Sequence, residues 1–308
     1  MIGAVDIGGT KIAVGIVDDL GKVVARVETP TSLLSVYADG IAHIARMLRE
    51  VVRMSEAELT GIGIGSTGWL FPFTGEFGDV DFFPGWKGCN PVKDLGREFG
   101  VQVGLENDGD ASALGEAAWG AGRGKSRLIY VTVGTGIGGG IILDGKLYRG
   151  AERAHPEVGH HVIDASGPLC TCGFRGCWEA LATGTAMAAW FNSEASAAGR
   201  NGVSLSAKEI FQLAITGDVL AQKAVERENY YLGLGIANLI NLFMPEMIVL
   251  GGSIMKSIRI EDIAKVVSRG CRFVPFERTK LALASLGYDA NLIGAAAVWH
   301  HRFGQIET

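Results

Sequence analysis

Cysteine is scarce in this chain. Five occur in 308 residues, an odd number at uneven spacing, which is a poor match to a secreted disulfide framework. Excess positive charge is also absent. The net charge of −5 gives no reason to expect nucleic acid or an anionic membrane as partner, although local backbone N–H groups can still build a phosphate site. No basic segment followed by an apolar stretch and a small-residue cleavage site opens the sequence, so a cytoplasmic location is expected. Nor is there an unbroken apolar run of membrane length. The most apolar stretch, 230–254, is interrupted by Asn238, Asn241, Pro245 and Glu246, and it reads as a buried helix followed by a buried strand. Neither G-x-x-x-x-G-K-[ST] nor a Rossmann G-x-G-x-x-G with its downstream acid occurs, which argues against a P-loop enzyme and a dehydrogenase. There is no low-complexity tail and no short tandem repeat.

What the chain has in plenty is glycine, 45 residues gathered in short runs, about twice ordinary usage. Such runs point to tight turns and close backbone approach rather than to a linker. With 48% hydrophobic and 20% charged residues, the chain has the composition and length for two packed lobes. Strands are expected over 2–7, 12–17 and 22–28, closed by Pro30 and Thr31, then a helix over 33–54 and a strand over 61–66. Residues 67–90 form a loop rich in Gly, Pro and aromatics, too long to be idle in a compact domain. Further elements are a helix over 92–99, a strand over 101–106, and a helix from Asp108 to Gly120 with Asp108 as its N-cap. The pattern then restarts: strands over 127–133 and 138–143, helices over 180–190, 207–216 and 218–243, strands over 246–250 and 281–286, and a helix over 290–302. Strand–turn–strand followed by helices, occurring twice, predicts two related α/β lobes with a cleft between them. Their boundary is expected near residue 120, giving lobes over 1–120 and 121–289, with the C-terminal helix (about 290–308) free to pack on the first.

Three glycine turns each follow an apolar strand. In DIGGTK (6–11), Gly8 and Gly9 can take positive φ and bring N–H groups to an anion, while Thr10 and Lys11 add a hydroxyl and a charge. VGTGIGGG (133–140) repeats the logic, and VLGGS (249–253) supplies a third glycine pair. Together they fit a nucleotide. Asn107-Asp108 ends the strand VQVGLEND, where an amide followed by a carboxylate can grip a hydroxyl and accept its proton. In CTCGFRGCWE (170–179), Cys170, Cys172 and Cys177 lie within eight residues. A Cys170–Cys172 bridge would close a strained ring and no C-x-x-C redox pair exists. Three thiolates with a fourth ligand from HPEVGHH (155–161) make a closed tetrahedral zinc site, structural because no position remains for water. Cys89 and Cys271 read as ordinary buried side chains.

DIGGTK, ENDGD, GTGIGGG, EVGH, CTCGFRGCWE and LGGS, in this order and spacing, resemble the ROK family of sugar kinases and sugar-responsive repressors over nearly the whole chain. DIGGTK alone would indicate only the wider actin-like ATPase and hexokinase superfamily; E-x-G-H paired with C-x-C-G-x-x-G-C-x-E is far more specific. The resemblance implies two ribonuclease-H-like lobes, ATP and Mg²⁺ in the cleft, γ-phosphoryl transfer to a hexose 6-hydroxyl, and a homodimer or homotetramer. Carried over by position, Asp108 is the general base, and Asn107, Gly68, Glu157, His160 and Glu179 contact the sugar. His160, Cys170, Cys172 and Cys177 bind zinc, with the zinc loop spanning 157–179. Asp6 lies near Mg²⁺, Gly8, Gly9, Thr10, Lys11, Thr135 and Gly136 cradle phosphates, and Gly251 and Gly252 flank the adenosine. His161 is the less favoured ligand, and His155 takes no role.

The sequence also departs from the family at Thr67, Phe82, Pro156 and ENDGD, where members often carry Pro, Asn, a small residue and ENDAN. The STG and NDG variants look like those of some N-acylmannosamine kinases, and HPE looks like ROK fructokinases. Glucose is the expected acceptor, with N-acetylmannosamine, N-acetylglucosamine and fructose as alternatives. A family repressor would place a winged-helix segment before DIGGTK, which here begins at residue 6. A non-catalytic sugar sensor is opposed by the intact Asn107–Asp108 pair.

Overall fold

The computed structural model of the chain describes residues 1–80, 83–200 and 202–304; Phe82 lies outside them. Strands β1 (Ile2–Ile7), β2 (Lys11–Val17) and β3 (Val23–Pro30) pair antiparallel in sequence, and α1 (Tyr37–Ser55) follows. β4 (Gly61–Ser66), the short pair β5 (Leu70–Phe71) and β6 (Glu76–Phe77), α2 (Pro91–Phe99), β7 (Gln102–Asn107) and α3 (Asp108–Ala118) complete this part. The sheet order is β3-β2-β1-β4-β7. Every residue of β1 and β4 is buried, and apart from Asp6 and Ser66 they are Val, Ile, Ala and Gly, as strands covered on both faces require.

Next come β8 (Leu128–Val133), β9 (Ile137–Leu143), β10 (Lys146–Leu147), α4 (Trp178–Leu181), α5 (Gly184–Ala197), α6 (Ala207–Ile215) and α7 (Val219–Phe243). β11 (Met247–Gly251), α8 (Ile260–Gly270), β12 (Lys280–Leu283) and α9 (Ala290–Phe303) end the chain. The second sheet runs β10-β9-β8-β11-β12. The chain divides into two compact units. The first holds residues 1–128, 140–156 and those from Ala284 onward; the second holds 129–139 and 157–283.

Several expectations are corrected. The helix predicted from residue 33 begins at Tyr37, because Thr31–Leu33 forms a 3₁₀ turn first. The helix predicted over 180–190 is two: α4 ends at Leu181, and the Thr183 hydroxyl caps α5 by accepting from Ala186 N at 3.1 Å. The amphipathic α8, which buries Ile263 and Val267, has no counterpart in the prediction. The long loop 67–90 sends its aromatics into the first unit's core. Trp86 is fully buried against Phe77, Phe83 and Tyr37 with ring centroids 5.1–5.3 Å apart, and its indole N–H donates to Leu34 O at 3.1 Å. Within the first unit, α9 lies on α3 and on the β1, β4 and β7 strands.

Candidate active site and metal centre

In the first unit the parallel register aligns Asp6 with Gly65 and Gly65 with Glu106, so Ile7, Ser66 and Asn107 end their strands side by side. DIGGTK, Thr67-Gly68 and Asn107-Asp108 therefore leave the sheet at one carboxyl edge, where open α/β sheets bind their ligands. Asn107, not Asp108, is the N-cap of α3. Its Oδ1 accepts from Gly109 N at 2.8 Å, and Asp108 is the first helical residue, with its own Oδ1 2.9 Å from the same N–H. A residue in the first helical turn is held by helical φ and ψ, which fixes where the Asp108 carboxyl can point.

Asp6 is buried, and Asn291 on α9 donates to it at 3.1 Å. Burial pushes its carboxyl up to about 6, and the Asp108 charge adds to the rise. Such a group relaxes toward its charged form when a cation arrives. Gly8 does not take the left-handed conformation expected of it; what it supplies is room, since a Cβ there would lie 3.1 Å from Lys11 O. The Lys11 ammonium meets Glu28 Oε2 at 3.1 Å and the Tyr288 hydroxyl at 3.3 Å. Gly68 has a φ of +92°, a conformation natural to glycine.

In the second unit, Gly134-Thr135-Gly136 turns β8 into β9. Gly184 N donates to Gly134 O at 3.0 Å, which brings the start of α5 onto the turn. A cavity of about 680 Å³ opens here, lined by Gly134, Thr135, Thr185, Lys208, Ser253 and Lys256 among others. A helix N-terminus, a glycine turn and two lysines are the chemistry that holds phosphates. Gly252, at φ +91°, packs on Val133. Glu179 Oε2 accepts from Ile137 N at 2.9 Å, and it can do so because a Cβ at Gly136 would stand 2.6 Å from that oxygen. Glu157 is exposed one residue before the 3₁₀ turn Val158–His160.

That turn also contributes His160 to a candidate metal centre. The ligand atoms of His160, Cys170, Cys172 and Cys177 all lie within 4.8 Å of one another. Cys172 Sγ and Cys177 Sγ are 3.4 Å apart, and Cys170 Sγ is 3.5 Å from His160 Nδ1. Sulfurs in a disulfide stand about 2.05 Å apart, so these are free thiols, close enough together to share one metal ion. The donor set fits Zn²⁺, whose bonds to sulfur and nitrogen of about 2.0–2.3 Å span such a cluster. Tight backbone turns close the loop: Gly173 N donates to Cys170 O at 3.0 Å, and Gly176 has φ +72° with Asp164 O where a Cβ would be. His161 turns away from the ligands. Its Nδ1 lies 2.6 Å from Val158 O and its ring packs on Trp178 at 5.3 Å. Cys271 is buried, as expected, whereas Cys89 is only half-buried.

The model of the ROK family matches residues 2–302. The chain belongs to the ROK family. A ROK-family relative, the glucokinase of Thermotoga maritima, is 33% identical over an alignment of 315 residues that covers 97% of each chain. Among solved ROK structures, the hexokinase from Thermus thermophilus superposes with a TM-score of 0.84 at 32% identity, covering 96% of this chain and 97% of that one. The ROK glucokinase from Streptomyces griseus, in complex with glucose and AMPPNP, gives 0.78 at 30% identity with the same coverage. The fold is therefore the two-lobed, ribonuclease-H-like α/β fold of the actin-like ATPases shared by ROK hexokinases.

Several residues that line the cavity or flank the Asn107–Asp108 turn were not picked out from the sequence. Lys208 and Lys256 sit in helical and turn segments with no motif around them. Thr185 was hidden inside a helix that is really two. Arg149 carries no motif either, and only the fold sets it against Glu106 and Asp110. The capping box from Ser206 to Glu209 lies at the helix start expected at residue 207, whereas the cap at Thr183 was passed over.

Proposed function

We propose that the protein is an ATP-dependent kinase that transfers the γ-phosphoryl group to the 6-hydroxyl of a hexose, with glucose the preferred acceptor. The observation that carries this reading is the Asn107–Asp108 turn at the sheet edge, in a chain that aligns almost end to end with glucokinases.

Asp108 accepts the proton of the 6-hydroxyl as its oxygen attacks phosphorus, and Asn107 holds a neighbouring hydroxyl. An Asp is a weak base, but phosphoryl transfer depends mainly on orientation and late proton acceptance. Gly68, Glu157, His160 and Glu179 complete the sugar contacts. The turns at Gly8–Lys11 and Thr135–Gly136 receive the phosphates, with Gly251–Gly252 beside the adenosine. Mg²⁺ near Asp6 would neutralise charge on the transferring group. Zinc on His160, Cys170, Cys172 and Cys177 would stiffen the loop that carries Glu179, without entering the reaction. The working unit is a cytoplasmic homo-oligomer in this reading; among the described residues no helix is long and apolar enough to cross a membrane.

A coupled assay of ADP release with glucose, fructose, mannose, N-acetylglucosamine and N-acetylmannosamine tests the proposal. Glucose should give the highest kcat/KM. Dominance of another sugar would reassign the acceptor, and ADP release indifferent to every sugar would sink the kinase reading.

A further inference from the structure

Arg149 stands between β10 and the 3₁₀ turn Ala151–Arg153, with its side chain only 13% exposed. One arm of the guanidinium, Nη2, donates to Glu106 Oε2, and the other, Nη1, donates to Asp110 Oδ2. Between those two acids lie Asn107, Asp108 and Gly109, the turn from β7 into α3. The fork thus grips the turn from both sides. Asp110 is fully buried, and its Oδ2 also meets His155 Nδ1 at 2.8 Å. Two carboxylates this close in a buried place repel each other, and burial with the Asp110 charge pushes Glu106 up to about 7 against the pull of Arg149. Without a cation between them the arrangement would not hold. A planar fork with two donor arms suits the task, whereas an ammonium is a point charge that cannot span both acids.

We propose that Arg149 is a positioning residue for Asp108: by bridging Glu106 and Asp110 it fixes the strand-to-helix turn on which the base stands, with His155 seating Asp110. This rests on the kinase reading of Asp108. Misplacing a reacting group by about 1 Å can cost roughly 100-fold in rate, so a loosened turn is read in kcat. The nucleotide contacts lie on other residues, so the KM for ATP should respond little, whereas the hexose KM can rise because Asn107 shares the turn.

The test compares wild type and Arg149→Lys with glucose and MgATP, alongside circular dichroism and melting temperature. Arg149→Lys should keep the wild-type spectrum, lose at least about tenfold in kcat, and hold the KM for ATP within about threefold. A folded Arg149→Lys with wild-type kcat overturns the proposal, and so does a lowered melting temperature with kcat unchanged, since that marks a purely structural role. Should Arg149→Lys fail to fold, Asp110→Asn keeps the shape while removing the charge that the fork grips. Reduced kcat at constant KM for ATP then supports the proposal, and wild-type kcat overturns it. A wild-type protein that phosphorylates no hexose overturns the kinase reading and this role together, whereas active wild type with equally active variants overturns the role alone.

Discussion

Glu179 accepts a hydrogen bond from the backbone N–H of Ile137 at 2.9 Å. The acid two residues beyond the last cysteine of the cluster is therefore tied to the glycine turn that follows β8. Glu179→Gln keeps the volume but replaces a charged acceptor by a neutral one, a loss of about 1–2 kcal/mol. The kcat/KM for hexose should fall roughly tenfold, mostly through KM. Steady-state kinetics with unchanged kcat/KM would remove Glu179 from the sugar site.

Asp108→Asn keeps a side chain of the same shape at the start of α3 but cannot take a proton. Turnover should fall by about 10²–10⁴-fold, the usual worth of general base catalysis, while hexose binding measured by calorimetry changes little. Near-normal turnover would refute the base assignment.

Metal analysis of purified protein should find one zinc per chain. Cys170→Ser, or chelation under mild denaturant, should release it, lower the melting temperature and raise the hexose KM, because the loop from Glu157 to Glu179 loses its cross-link. Full activity with no zinc would break the proposed coupling between the metal and the sugar site.

Asp6 offers a pH test. Its native carboxyl is raised from 3.8 to about 6, so the folded state binds this proton more tightly than the unfolded chain. Stability from this group is therefore lost as pH rises from about 4 to about 6, by about 3 kcal/mol. In Mg²⁺-free buffer, Asp6→Asn should melt at nearly the wild-type temperature at pH 4 and clearly above it at pH 7, and it should be poorly active. A stability difference that does not change with pH would contradict the cause assigned to the shift.

Gly63 on β4 lies under α9, where a Cβ would stand 1.8 Å from Ala295 O. Gly63→Ala forces the helix off the sheet and should cost about 3 kcal/mol or more in urea unfolding. Gly96, inside α2, meets nothing closer than 3.4 Å, so Gly96→Ala should be neutral or stabilising by about 0.5–1 kcal/mol. Equal effects at the two positions would mean that the close approach of α9 is not what excludes a side chain at Gly63.

Strands β1, β4 and β8 were legible because continuous apolar runs between glycine turns admit few other readings. α2 was legible from Asn90, Pro91 and Gly100, which are start and stop signals with local causes. α8 was not, because its two buried positions are too few to stand out among charged neighbours. The single helix predicted across 180–190 failed because apolar spacing continues through Thr183, and only the cap geometry shows the break.

The cysteine cluster was determined by the sequence alone: three thiols within eight residues and a histidine ten residues before the first leave few chemistries open. Its companion acid was not. Glu179 is placed by a hydrogen bond to Ile137, forty-two positions earlier, and Arg149 by two acids about forty positions earlier. Local motifs encode ligand types and turns, since those follow from neighbouring residues. Which charge meets which backbone group depends on strand register and helix docking, and that is decided only when the sheets assemble.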